Sequence, residues 1–285
     1  MRAFHSFWTA PNRARHGGAL VVPDCELLTM ILSALEWRER NGEIVMVTDS
    51  AGAAFFRDAG LDGLWSEPPD DRLDGIDPRL DPLRFWAAGK LWALRGERAP
   101  CVMLDTDMIV WAPLGDRLGG AAVAAHREAL NPAVYPDPRA AFVLAEGYAF
   151  PAAWDFTRPA ANTAFLYLPE DGFKNRYVDA ALSFMLALRN DADPTVAMCF
   201  AEQRILPMCA AAEGAALDAL LQEDALDGQS LVTHLWGHKA ALASDPEQRL
   251  AYCLRCVSRI LSDFPGWAET LTKHPRLNRY VRYLR

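Results

Sequence analysis

The chain has 285 residues, 51% of them hydrophobic and 23% charged, with a net charge of −8. So much apolar material excludes a disordered, collagen-like or coiled-coil chain, and the negative charge argues against a protein that coats nucleic acid. No apolar run reaches the roughly 18 residues of a membrane-spanning helix and no apolar leader follows the start, so a soluble cytoplasmic protein is expected.

In chain order, Ala3 to Thr9 reads as a short strand that enters a polar loop at Pro11. Cys25 to Arg40 puts Leu27, Leu28, Ile31, Leu32 and Leu35 on one helical stripe, which Asn41-Gly42 stops. Glu43 to Thr48 reads as a second strand bounded by Asp49, and Ala51 to Ala59 as the next helix. Residues 66–82, dense in Pro and Asp, form an exposed loop. Leu83 to Arg95 is then a helix and Val102 to Trp111 a strand. This alternation predicts an α/β fold with a Rossmann-like N-terminal half, whose ligands sit outside the carboxyl ends of the strands. Prolines break residues 126–170 into loops, and helices return over 174–189, 196–206, 215–225 and 247–261. The six cysteines lack framework spacing, as reduced thiols would, and the C-x-x-C pair Cys253 and Cys256 stands alone.

Asp105 and Asp107, in the apolar run Cys-Val-Met-Leu-Asp-Thr-Asp-Met-Ile-Val-Trp, carry the most information. In one strand they would project side by side, and two buried like charges need a partner. A divalent cation removes the conflict, and hard oxygen ligands suit Mg²⁺ or Mn²⁺. Chance in an acidic loop is the plainer reading of an isolated D-x-D. Thr233-His234-Leu235-Trp236-Gly237-His238-Lys239 adds an imidazole that can complete such a site, a glycine and a lysine suited to phosphate. An ordinary turn with surface histidines would look the same. Asn162 opens an apolar run, Glu202-Gln203 lies in a helix-like segment, and Lys90 sits one helix before the carboxylates. Taken singly, these three are equally a turn cap, a solvated helix face and a surface lysine.

The order of these motifs resembles the GT-A-fold retaining glycosyltransferases of the family that includes glycogenin and bacterial lipooligosaccharide galactosyltransferases. It looks closer still to a set of bacterial glycosyltransferase-like proteins that begin with a similar Ser-Phe-Trp strand. The resemblance implies a Rossmann-like mixed sheet flanked by helices, with a helical C-terminal extension. It divides the chain into a glycosyltransferase domain over 1–240 and an extension over 241–285. Within the domain, 1–115 would bind the nucleotide sugar, and 116–240 would meet the acceptor and complete the metal site. It implies a hexosyltransferase-type enzyme using Mn²⁺ or Mg²⁺ and a nucleotide-sugar donor, UDP-linked, acting with retention on a glycan, lipid-linked or other acceptor. By the resemblance, Asp105, Asp107 and His234 hold the metal, and Lys90 contacts the nucleotide. Asn162, Glu202 and Gln203 meet the donor sugar, while Gly237 and Lys239 clamp the diphosphate. Asp49 matches the base-binding edge, and Thr9 is placed with it on the donor. Two departures stand out: Lys239 comes one residue earlier than in the family pattern, and Glu202 replaces an Asp.

Two rivals remain at this level: a non-catalytic nucleotide-sugar-binding protein of the same fold, and a nucleotidyltransferase. The C-terminal stretch repeats Arg276, Arg279, Arg282 and Arg285 every three residues among aromatics. A basic helix end that docks on this acidic protein is the simpler reading; the other is contact with anionic lipid at the inner face of a membrane.

Overall fold

A computed structural model describes residues 1–222 and 231–284. The strands are β1 (Arg2–Phe7), β2 (Ile44–Thr48), β3 (Cys101–Leu104), β4 (Met108–Val110), β5 (Ala122–Glu128), β6 (Ala160–Leu168), β7 (Leu217–Ala219) and β8 (Val232–His234). Six of them form one mixed sheet in the order β2-β1-β3-β6-β5-β7. β1 runs parallel to β2 and β3, whereas β6 is antiparallel to both β3 and β5. β4 and β8 leave this sheet and pair antiparallel, with Met108 opposite His234. The helices are α1 (Thr9–Arg15), α2 (Asp24–Arg40), α3 (Ser50–Asp58), α4 (Ala88–Gly96), α5 (Pro138–Ala141), α6 (Asp171–Ala187), α7 (Pro194–Cys199), α8 (Ile205–Glu213), α9 (Lys239–Ser244), α10 (Pro246–Asp263), α11 (Ala268–Lys273) and α12 (Asn278–Tyr283).

Strand residues alternate between the two faces of the sheet, so Ala3, Val102 and Leu104 pack on one side and Phe4, Cys101 and Met103 on the other. The first side is covered by α2, through Leu27, Leu28 and Ile31, and by Val257 and Ile260 of α10. The second is covered by Leu91 of α4, Phe173 and Tyr177 of α6 and Leu206 of α8. Each such buried side chain contributes about 1.5–3 kcal/mol. The mixed sheet with helices on both faces and a helical C-terminal extension agrees with the expected GT-A-like α/β class. The extension's Leu271, Leu277 and Tyr280 join the first core.

A buried hydrogen-bond chain crosses that core. Trp65 Nε1 donates to His5 Nδ1 (3.3 Å), which leaves His5 Nε2 to donate to Ser33 Oγ (3.0 Å). The Ser33 hydroxyl in turn donates to the Met108 carbonyl at 2.5 Å. α2 ends where expected, because Gly42 adopts φ 109°, and a Cβ there would lie 2.7 Å from the Met1 nitrogen.

Several expectations are corrected. Val102 to Trp111 is not one strand: Asp105-Thr106-Asp107 is a turn, closed by Met108 N donating to Asp105 O (3.1 Å), between strands of two different sheets. The stretch after Phe7 is helix α1 rather than loop, and α4 begins at Ala88, five residues after the expected start at Leu83. Asn162 lies inside β6, not at its opening, and β5 occupies the start of the proline-broken stretch. The helix over 215–225 is replaced at its start by β7, which pairs parallel with β5; its part from 223 lies outside the described residues.

Arg276 and Arg279 of the basic tail dock on the body of the protein, at 2.6 and 2.7 Å from the two oxygens of Asp24. Arg285 lies outside the described residues. Among the described residues no helix is long and apolar enough to cross a membrane.

Candidate active site

Beyond the carboxyl ends of β1 and β3 lies a cleft of about 540 Å³, where ligands of such sheets bind. Ser6, Phe7 and Trp8 form one wall and the Asp105-Thr106-Asp107 turn its floor. The turn leaves the end of β3 and feeds β4, so Asp107 meets His234 at the end of β8. Ligand atoms of Asp105, Asp107 and His234 lie within 4.8 Å of one another. Two carboxylates and an imidazole at that spacing are a donor set fit for a divalent ion such as Mn²⁺ or Mg²⁺.

Each carboxylate also has its own lysine. Lys90 Nζ lies 2.7 Å from Asp105 Oδ1 and also contacts Glu202. Lys239 Nζ lies 2.8 Å from Asp107 Oδ2, and His234 Nε2 is 3.7 Å from Asp107 Oδ1. The two carboxyls are driven apart in affinity for protons. Burial dominates at Asp105 and raises it, helped by the like charges of Asp107 and Glu202, despite Lys90. At Asp107 burial works the same way, but the adjoining His234 and Lys239 outweigh it and hold the carboxyl well below the usual range. Burial would lower the Lys90 ammonium; Asp105 and Glu202 reverse that and hold it raised.

Across the cleft, Glu202 and Gln203 sit in a π-helical turn (Phe200–Arg204) between α7 and α8. Such turns insert a residue into a helix and recur at functional sites. Glu202 accepts from Thr163 Oγ1 at 2.6 Å, and the Tyr177 hydroxyl fixes its carbonyl at 2.6 Å. Asn162 donates to Glu128 Oε1 (2.8 Å) and accepts from Ala164 N (3.0 Å). The Tyr135 hydroxyl lies 2.5 Å from Glu128 Oε2 and also meets the Gln203 side chain. Burial foremost, with the Glu128 hydrogen bond, keeps Tyr135 protonated by raising its pKa. Amide, hydroxyl and carboxylate groups facing one cleft are the chemistry that recognises a polyol.

Eight of the eleven expected residues line this cleft: Lys90, Asp105, Asp107, Asn162, Glu202, Gln203, His234 and Lys239. Thr9 and Asp49 do not. They bond each other (Thr9 N to Asp49 Oδ2, 2.9 Å), and Asp49 caps α3 through Gly52 N at 2.9 Å. Gly237 lies in a 3₁₀ turn (Trp236–His238) outside the lining, where a Cβ would meet nothing within 4 Å.

Sequence reasoning missed Glu128, Tyr135 and three cleft tryptophans, Trp8, Trp86 and Trp236. Trp236 is 68% exposed and its ring stacks near that of His234, 6.3 Å between centroids. Its place beside His234 in the sequence was the available signal. Glu128 and Tyr135 offered none, because what joins them to Asn162 is strand pairing distant in sequence.

No curated protein matches the sequence. Among solved structures the chain is similar to mouse xyloside xylosyltransferase 1 in its apo form, at 11% identity and a TM-score of 0.40, over 77% of this chain and 84% of that one. The model of DUF6734, a family of unknown function, matches residues 1–227. By that match, which spans most of its length, the chain belongs to the DUF6734 family.

Proposed function

We propose that the chain is a metal-dependent glycosyltransferase that moves a sugar from a nucleotide sugar to an acceptor hydroxyl. The observation that carries this reading is the convergence of Asp105, Asp107 and His234 with Lys239 at the floor of a cleft that Asn162, Glu202 and Gln203 also line. An ion bound by the first three would neutralise charge gathering on a departing diphosphate. Lys239 presents a further cation to the same oxygens. Lys90 holds Asp105 and Glu202 in place across the floor. Glu202, fixed by Thr163, and Asn162, fixed by Glu128, are rigid acceptors and donors for the hydroxyls of the transferred sugar. Gln203 stands beside them on Tyr135. UDP as the nucleotide and retention of configuration rest on the family resemblance. In that course the bond from the anomeric carbon to the diphosphate oxygen breaks, the acceptor oxygen bonds on the same face, and the leaving phosphate takes the acceptor's proton.

Thermal unfolding with UDP, GDP or CDP, each with and without Mn²⁺, tests this reading. A nucleotide at 100 times its dissociation constant adds about 2.7 kcal/mol, a shift of roughly 5–10 °C for a chain this size. A shift with UDP that needs Mn²⁺ and is lost in Asp107→Ala is expected. No shift with any nucleotide, with metal or without, ends the proposal.

A further inference from the structure

On the far side of the β4–β8 pair from the cleft, α2 and α10 leave a groove of about 440 Å³. Its apolar lining is Leu32, Ile109, Trp111 and Cys256, and three arginines, Arg40, Arg255 and Arg259, share its walls. Two of these are already matched by acids: Arg40 lies 2.7 Å from the buried Glu36, and Arg259 lies 2.7 Å from Asp263. Arg255 differs. Among the described residues it has no acidic partner, and its guanidinium lies 5.9 Å from the centre of the Tyr252 ring. Trp111 is held against Thr233 by a 2.8 Å hydrogen bond and carries Arg259 over its face at 5.2 Å. The groove therefore joins an apolar surface of small-molecule size to one guanidinium with no acidic partner among the described residues, a combination complementary to an apolar body that carries an acid group.

We propose that this groove binds an amphiphilic monoanion, an apolar chain or ring bearing a carboxylate or phosphate, with Arg255 as its charge partner. Arg255 pairs with the acid group while the body covers Ile109 and Trp111. Ile109 pairs with Thr233, one residue from Met108 and His234, so the ligand rests on the back of the strand pair that carries His234 and begins just after Asp107. The site stands apart from the cleft and does not depend on the glycosyl-transfer reading.

Calorimetric titration of the full chain with decanoate, and with uncharged 1-octanol as control, tests it. Saturable binding of one decanoate per chain is expected, weakened about tenfold or more in Arg255→Gln, as loss of a charged hydrogen bond implies. Arg255 is exposed, so this variant keeps its fold, which an unchanged thermal midpoint checks. Arg282→Gln, outside the groove, should bind as wild type does. Absence of decanoate binding, equal binding of 1-octanol, or an Arg255→Gln variant that binds undiminished would each overturn the proposal. Cosedimentation with phosphatidylglycerol vesicles that Arg255→Gln abolishes would make the ligand a membrane lipid. Decanoate binding without vesicle binding would make it a soluble acid.

Discussion

Lys90 and Asp105 are 15 residues apart and 2.7 Å in contact, and the same ammonium also reaches Glu202. One cation thereby ties helix α4 to the turn after β3 and to the π-helical turn. Its removal leaves two poorly hydrated carboxylates facing each other. Lys90→Met should therefore cost roughly 2–4 kcal/mol, read as a lower urea midpoint. Adding Glu202→Gln to it should restore part of the loss. An unchanged midpoint in the single variant would mean that water, not Lys90, satisfies Asp105.

Gly89, the neighbour of Lys90, lets α4 approach the cleft wall. A Cβ there would lie 2.6 Å from Trp8 Cβ and 3.3 Å from its Cγ, atoms too near the backbone to swing aside. Gly89→Ala should destabilise by about 1–3 kcal/mol and displace Trp8 from the cleft. The nucleotide-induced thermal shift should shrink with it. A variant as stable as wild type, with a full shift, would contradict the tight packing.

His5 is fully buried, and burial pushes its pKa down from 6.5 to about 3. The unfolded chain takes up a proton near its ordinary value, which the folded chain refuses until about pH 3. Stability from this group is thus whole above about pH 6.5 and falls as the pH drops toward 3, by at most about 1.4 kcal/mol per unit. Urea unfolding between pH 7 and about 4 should show a shallower slope in His5→Gln. The ring nitrogens should report a proton on Nε2 throughout that range in wild type. A His5 resonance that titrates near 6.5 would defeat the assignment.

Asp24 receives Arg276, Arg279 and the Tyr280 hydroxyl together (3.1 Å for the last). Asp24→Ala should loosen α12, at a cost of about 1–2 kcal/mol given how exposed the arginines are. Trypsin should then cut the tail well before the rest of the chain. An unchanged digestion pattern would show that the apolar contacts of Tyr280 and Val281 hold the tail alone.

The elements that were legible in the sequence are those with local causes. α2 has its leucine stripe and glycine stop, and β2 is a short apolar run bounded by Asp49. The carboxylates, the imidazole and both lysines of the cleft were legible as residue types. Their geometry was not. The run from Val102 to Trp111 is apolar on both flanks of Asp105-Thr106-Asp107, so nothing local shows that the two flanks belong to different sheets. β5, Ala-Val-Ala-Ala-His-Arg-Glu, offers no alternation, and Glu128 therefore passed as loop. The π-helical turn at Glu202 differs from an α-helix only by one inserted residue, which packing against Tyr177 and Thr163 decides.

The turn between β3 and β4 has a mechanical consequence. Asp105 and Asp107 lie in the turn between a strand of the large sheet and one of the small sheet, whereas His234 ends the small sheet's other strand. An ion gripped by all three would act as a clasp, shutting most of the second half of the chain into a ring. An ion that binds this folded site and not the unfolded chain favours folding, so it would add to stability even with no nucleotide present. Loosening that clasp would free the β4–β8 pair first, and the large sheet would outlast it.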